Sequence, residues 1–176
     1  AFGGSCLPKE VKGFLTLAKE MNVSIPSLST LLDSNKSHID SAFDIIARDG
    51  RKKVALFGLA FKPGTDDMRD SPLVVLAERL LGKGFDISIY DNFVKISRLL
   101  GKNKEFIERE IPHLDRLLSE TPEAALEKAE IIVIGHADAA ARQSIIANAK
   151  GRRIVDLSGY ADIQAAPAGE YEGICW

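Results

Sequence analysis

Lys53-Val54-Ala55-Leu56-Phe57-Gly58 is a short, nearly continuous apolar run closed by glycine. Such a run fits a β-strand buried on both faces, as in a parallel sheet covered by helices. The signature returns at residues 130–135, which contain Ile131-Ile132-Val133-Ile134, and at residues 153–157 (RIVDL). Residues 86–90 read as a further strand ending at Asp91, and residues 171–176 as a last extended piece. Between these runs the apolar spacing becomes helical. Ser71-Pro72 is an N-cap and first-turn pair that opens a helix over 72–81, stopped by Gly82 and Gly84. Helices are also expected at 122–129 and 137–149, with a charged helical section at 103–110. Strand and helix in alternation predict an α/β fold, a doubly wound, mainly parallel sheet. Its ligands belong at the carboxyl ends of the strands, where Gly58, Asp91, Gly135 and Ser158 fall.

Upstream of that run the pattern is purely helical. Residues 25–47 carry Leu28, Leu32, Ile39, Ala42 and Ile46 at spacings near three and four, with Asn35 as a polar interruption of the same seam. A stripe of this kind is built to be buried against another helix. No following segment is an obvious helical partner, so burial in a second subunit and packing on the chain's own domain both stand as readings. Residues 1–50 are therefore a helical segment, and residues 51–176 the sheet domain.

The 176 residues suffice for one substantial core plus this appended segment. A net charge of −2 gives no footprint for nucleic acid, and no apolar run is long enough for a membrane span. Two cysteines, Cys6 and Cys175, at opposite ends form neither a disulfide framework nor a metal pattern, so a cytoplasmic setting is expected.

Cys6 has an unusual setting. Gly3-Gly4-Ser5 precedes it, and Pro8 opens an amphipathic helix over 8–21. A helix start offers free N–H groups and the positive end of a dipole, which favour a thiolate there. Lys9 adds a cation, and Glu10, one turn on, is placed to hold a water or accept a proton. Taken alone, Cys6 would more often be a small buried hydrophobe than a nucleophile, and its setting shifts that balance. The loop after the first strand, residues 58–70, stands where a dinucleotide fingerprint would, but it lacks G-x-G-x-x-G. It carries Lys62 and Arg69 instead, which read either as phosphate ligands or as solvated loop cations. Asp66, Asp67 and Asp70 read as helix-capping or arginine-orienting residues, and no metal site is expected. His38, His113 and His136 are scattered along the chain.

Ala1-Phe2-Gly3-Gly4-Ser5-Cys6-Leu7-Pro8-Lys9-Glu10 resembles the catalytic cysteine segment of the UDP-glucose/GDP-mannose dehydrogenase family. Gly58-Leu-Ala-Phe-Lys-Pro-Gly-Thr-Asp-Asp-Met-Arg-Asp-Ser-Pro72 resembles the signature that opens that family's C-terminal domain. Glu172-Gly-Ile-Cys-Trp176 is similar to the terminus of its GDP-mannose-oxidising members. The resemblance covers essentially the whole chain but only the second half of the family's architecture. It implies a Rossmann-like nucleotide-sugar domain at 51–176. It also implies homodimerisation through the 25–47 helix, and an N-terminal NAD-binding domain that lies outside this chain.

The resemblance further implies a two-step oxidation of a hexose C6 hydroxyl to a carboxylate with NAD as cofactor, serving an acidic exopolysaccharide pathway. Cys6 would be the catalytic nucleophile, passing through a thiohemiacetal and a thioester, with Glu10 placing the hydrolytic water. Gly3 would approach the sugar, Lys62 would bind the substrate phosphates, and Lys9 and Arg69 would touch NAD. Glu10 stands where the family usually has Asp, and Asp70 where it usually has Glu. The expected substrate is GDP-mannose, with a UDP-sugar as the nearest rival. Outside the dehydrogenase class, the alternatives are a non-catalytic nucleotide-sugar-binding module and a hydrolase pairing Cys6 with His113 or His136. Residues 1–176 alone are expected neither to bind NAD tightly nor to turn over substrate.

Overall fold

The computed structural model describes residues 1–94, 114–165 and 170–174. Helix α1 is Leu7–Glu20, with Cys6 at its N-cap and Pro8 in its first turn. The expected single helix over 25–47 is instead two, α2 (Pro26–Ser29) and α3 (Leu31–Ala47). At the break, the Ser29 and Thr30 hydroxyls donate to the Pro26 carbonyl at 2.8 and 3.3 Å. Such local bonds compete with the helical ladder.

The sheet domain follows as β1 (Lys53–Phe57), α4 (Pro72–Gly82), β2 (Asp86–Tyr90), α5 (Pro122–Leu126), β3 (Ile131–Ile134), α6 (Ala139–Ala147), β4 (Arg153–Asp156), α7 (Ala161–Gln164) and β5 (Glu170–Gly173). The expected helix at 137–149 starts two residues later, because the Asp138 side chain caps it by accepting from the Ala141 N–H. Helix α7 and a 3₁₀ turn at Leu114–Arg116 have no counterpart in the sequence reading. The helix expected at 103–110, His113, Cys175 and Trp176 lie outside the described residues.

All four strand pairings are parallel, in the order β2-β1-β3-β4-β5. The chain runs from β1 outward to β2, then returns to place β3 on the other side of β1. That reversal opens a crevice at the carboxyl ends of β1 and β3. Val54 and Leu56 face one layer, with Ile46 of α3 and Leu76 and Leu80 of α4. Ala55 and Phe57 face the other, with Leu126 of α5, Ile145 of α6 and Ile163 of α7. With both faces covered, the central strands β1 and β3 are apolar along nearly their whole length, while the edge strands β2 and β5 carry polar residues.

Of the two readings of the α3 stripe, packing on the chain's own domain accounts for its second half. Ala42, Phe43 and Ile46 are buried in the chain's own core. Helix α4 is the partner that the sequence did not reveal: Asp40 of α3 pairs with Arg79 of α4, whose guanidinium lies 4.2 Å from the Phe43 ring centre. At the start of β4 the buried Arg153 donates to Glu172 at 2.8 Å and to the Ile45 carbonyl at 2.7 Å, with Asp49 at 3.4 Å. This cluster ties the end of α3 to β5.

Candidate functional site

The loop between β1 and α4 is folded by its own polar groups. Asp91, at the end of β2, turns inward. One carboxylate oxygen accepts from the Leu59 and Ala60 N–H groups at 2.8 and 3.1 Å, the other from the Phe93 N–H at 3.0 Å. Its side chain is 1% exposed. The amides just after β1, where a Rossmann dinucleotide site cradles a pyrophosphate, thus already hold an anion. Ser71 caps α4 through the Leu73 N–H and donates to the Leu59 carbonyl at 2.7 Å, which closes the loop at its far end. Asp156 repeats the arrangement after β4, accepting from the Ser158, Gly159 and Tyr160 N–H groups and the Tyr171 hydroxyl.

Above the β1–β3 crevice lies a cleft of about 240 Å³. Leu73, Leu76, Ile39 and Leu157 contribute apolar surface, and Lys62, His136 and Ser158 polar groups. Lys62 is exposed, with its ammonium 5.3 Å from the Phe61 ring centre. His136 Nε2 lies 3.1 Å from the Ala60 carbonyl oxygen and 3.6 Å from Asp91, so the ring is engaged with the loop.

The cysteine segment docks onto this same loop. A β-carbon on Gly3 would fall 2.2 Å from the Asp70 carbonyl oxygen and 2.6 Å from Pro72 Cδ. One on Gly4, where φ is +88°, would fall 2.8 Å from the Phe61 ring. Only glycines permit this approach. The side of Gly3 where a side chain would stand is filled by the chain's own Asp70–Pro72 turn, which by itself requires glycine there. Asp70 does not support the helix start. It sits at φ +50°, a left-handed conformation that Asp tolerates better than most residues, and the capping is done by Ser71.

Cys6 is exposed at the α1 N-cap, and no side-chain hydrogen bond caps that helix start. Lys9 and Glu10 are exposed on the first turn, and the Glu10 N–H donates to the Cys6 carbonyl at 2.9 Å. Arg69 is gripped by Asp67 through two side-chain bonds of 2.8 and 2.7 Å. That contact raises Arg69 above its ordinary value, with smaller contributions from Cys6 and Asp66, so the guanidinium lies within electrostatic reach of the sulfur. Asp67 is held below its ordinary 3.8 by the same bond. The structure thus brings Cys6, Arg69 and the Lys62 loop to one region. Sequence reasoning placed Asp91 at a strand end without seeing that it turns inward onto amides, and it missed Asp156. The available signal was their position at strand ends before turn-forming residues, where an aspartate folds back onto following amides.

Residues 55–162 match the model described as "UDP-glucose/GDP-mannose dehydrogenase family, UDP binding domain". The GDP-mannose 6-dehydrogenase of Pseudomonas savastanoi pv. phaseolicola is 44% identical over all 176 residues, which span 40% of that relative. Among solved structures, a ternary complex of GDP-mannose dehydrogenase from Pseudomonas aeruginosa superposes with a TM-score of 0.89 at 41% identity, covering 100% of this chain and 40% of that one. A UDP-glucose dehydrogenase from the archaeon Pyrobaculum islandicum gives 0.79 at 26% identity, covering 100% of this chain and 38% of that one. The chain belongs to the UDP-glucose/GDP-mannose dehydrogenase family.

Proposed function

We propose that residues 1–176 supply the cysteine nucleophile and the nucleotide-sugar cleft of an NAD-dependent nucleotide-sugar 6-dehydrogenase acting on GDP-mannose. The observation that carries this reading is the docking of an exposed cysteine at a helix N-cap position, through Gly3 and Gly4, onto the loop that holds Lys62 and Arg69. The full-length match to GDP-mannose 6-dehydrogenases supports the choice of sugar nucleotide. Since the chain spans 40% of those relatives, the activity of a whole enzyme is part of the proposal.

The β1 crevice does not fit a dinucleotide, because Asp91 already occupies the amides that would receive its phosphates. Lys9 and Arg69, cations beside Cys6, fit a contact with a dinucleotide carried by a separate domain. NAD, when bound there, accepts the hydrides. The Cys6 thiolate attacks the C6 aldehyde and forms a carbon–sulfur bond, and the carbonyl oxygen takes up a proton to complete a thiohemiacetal. Loss of hydride from that carbon, together with the proton of its hydroxyl, leaves a thioester. Water, placed by Glu10, then breaks the carbon–sulfur bond, releasing carboxylate and thiol. Lys62 neutralises the diphosphate, and the apolar wall formed by Leu73, Leu76 and Ile39 receives the base. Gly3 remains near the sugar only through its backbone. Homodimerisation is carried forward for the first half of the 25–47 segment and for the exposed row Leu7, Phe14, Leu17 and Met21 of α1, since Ala42 and Ile46 are already covered.

A UDP-sugar is the second reading, favoured by the family description of residues 55–162 as a UDP binding domain. Calorimetric titration with GDP-mannose and UDP-glucose separates the two, with tighter binding of GDP-mannose expected. In the complete enzyme, Cys6→Ser should lower uronate formation at least about 10³-fold. Uronate production at the wild-type rate would refute the nucleophile.

A further inference from the structure

Asn35 interrupts an apolar seam, and neither the core of α3 nor the cleft accounts for it. Its side chain is half-buried and pairs with the peptide groups of Phe2: the Phe2 N–H donates to Asn35 Oδ1 at 2.7 Å, and Asn35 Nδ2 donates to the Phe2 carbonyl at 2.8 Å. An amide side chain is suited to this, since it carries a donor and an acceptor side by side. Two bonds to one residue fix both its position and its orientation. A valine or serine in the seam could not do the same.

The anchor is rigid at its other end. Two helical turns beyond Asn35, Ala42, Phe43 and Ile46 are buried in the core, and Asp40 pairs with Arg79 of α4. Phe2 is followed directly by Gly3 and Gly4, pressed onto Pro72 and Phe61, and then by Ser5 and Cys6. The cysteine segment is thus clamped from two sides, by α3 through Asn35 and by the β1–α4 loop through the glycines. The glycine contacts restrict approach but supply no direction along the chain. The Asn35 pairing supplies it.

We propose that Asn35 is a positioning residue for the Cys6 nucleophile, setting where the sulfur stands relative to the cleft. The proposal rests on the reading of Cys6 given above. A misplacement of about 1 Å at a reacting atom is enough to cost about 10²-fold in rate. In the complete enzyme, Asn35→Ala is therefore expected to lower kcat for uronate formation about 10²-fold and to leave KM for the nucleotide sugar within about threefold. The cleft residues stand largely on other elements, so a general loss of structure would move both constants. If Cys6→Ser is inactive while Asn35→Ala keeps the wild-type kcat, this inference falls and the nucleophile reading stands. If Cys6→Ser retains full uronate formation, the nucleophile reading falls instead. Should Asn35→Ala not fold, Asn35→Asp keeps the acceptor for the Phe2 N–H and removes the donor to its carbonyl. The same kcat-only loss is expected, and a wild-type kcat overturns the proposal. Amide hydrogen exchange on residues 1–176 gives a check without catalysis. The Phe2 amide should be protected in the wild type and at least about tenfold less so in Asn35→Ala, with the β1 and β3 amides unchanged. Equal Phe2 exchange in both proteins contradicts the clamp.

Discussion

The two ends of the sheet both bury charge, and they satisfy it by different means. At the carboxyl end, Asp91 and Asp156 are surrounded by backbone N–H groups of the loops that follow β1, β2 and β4. At the start of β4, Arg153 is matched by the side chains of Glu172 and Asp49 and by one carbonyl. The difference has a functional meaning. A carboxylate that takes its partners from the main chain shapes the loop that carries Lys62 and Arg69, the proposed ligand contacts. An ion-pair cluster instead joins α3 to β5 and contributes nothing to the cleft.

The largest effect is expected at the ion-pair end. Glu172→Ala leaves the Arg153 guanidinium buried with Asp49 and the Ile45 carbonyl as remaining partners, and should cost about 3–4 kcal/mol in urea unfolding. A loss below about 1 kcal/mol would mean that the cluster is a surface network. At the carboxyl end, Asp91→Asn should cost about 2 kcal/mol, since the amide nitrogen must face an N–H donor on one side. Hydrogen exchange should place that cost at Leu59 and Ala60. If the loss appeared along α3 instead, the division between the two ends would be wrong. Ser71→Ala should cost about 1 kcal/mol by removing the α4 cap.

The smallest effect is a pH dependence. Arg153, helped by Arg48 and opposed by burial, holds Glu172 below its ordinary 4.5. A group with a depressed folded value contributes fully above its unfolded value and loses that contribution as pH falls through the folded one. Stability should therefore decline below about pH 4.5 more steeply in the wild type than in Glu172→Ala. Parallel pH curves would remove Glu172 from the acid transition.

The central strands β1 and β3 were legible because burial on both faces writes a nearly unbroken apolar run, which no surface element needs. The cysteine motif and the loop signature were legible as residue strings. What could not be read was direction. Asp91 at a strand end reads the same whether it faces a ligand or folds back onto two amides. Gly3 reads the same whether its open side admits a sugar or the Asp70 carbonyl. Asn35 and Phe2 are 33 residues apart, and α3 meets α4 across an intervening strand and loop, so periodicity alone could not choose between a second subunit and the chain's own domain. Separation along the chain left the choice between these contacts open.

The central claim is that the sulfur of Cys6 becomes covalently attached to the sugar carbon during turnover. Acid-quenching the complete enzyme in the presence of GDP-mannose and NAD, followed by peptide mass spectrometry, tests it directly. The account predicts a sugar-nucleotide adduct on the peptide containing Cys6, absent from Cys6→Ser. Uronate accumulating with no adduct on that peptide, or with one on another residue, would contradict it.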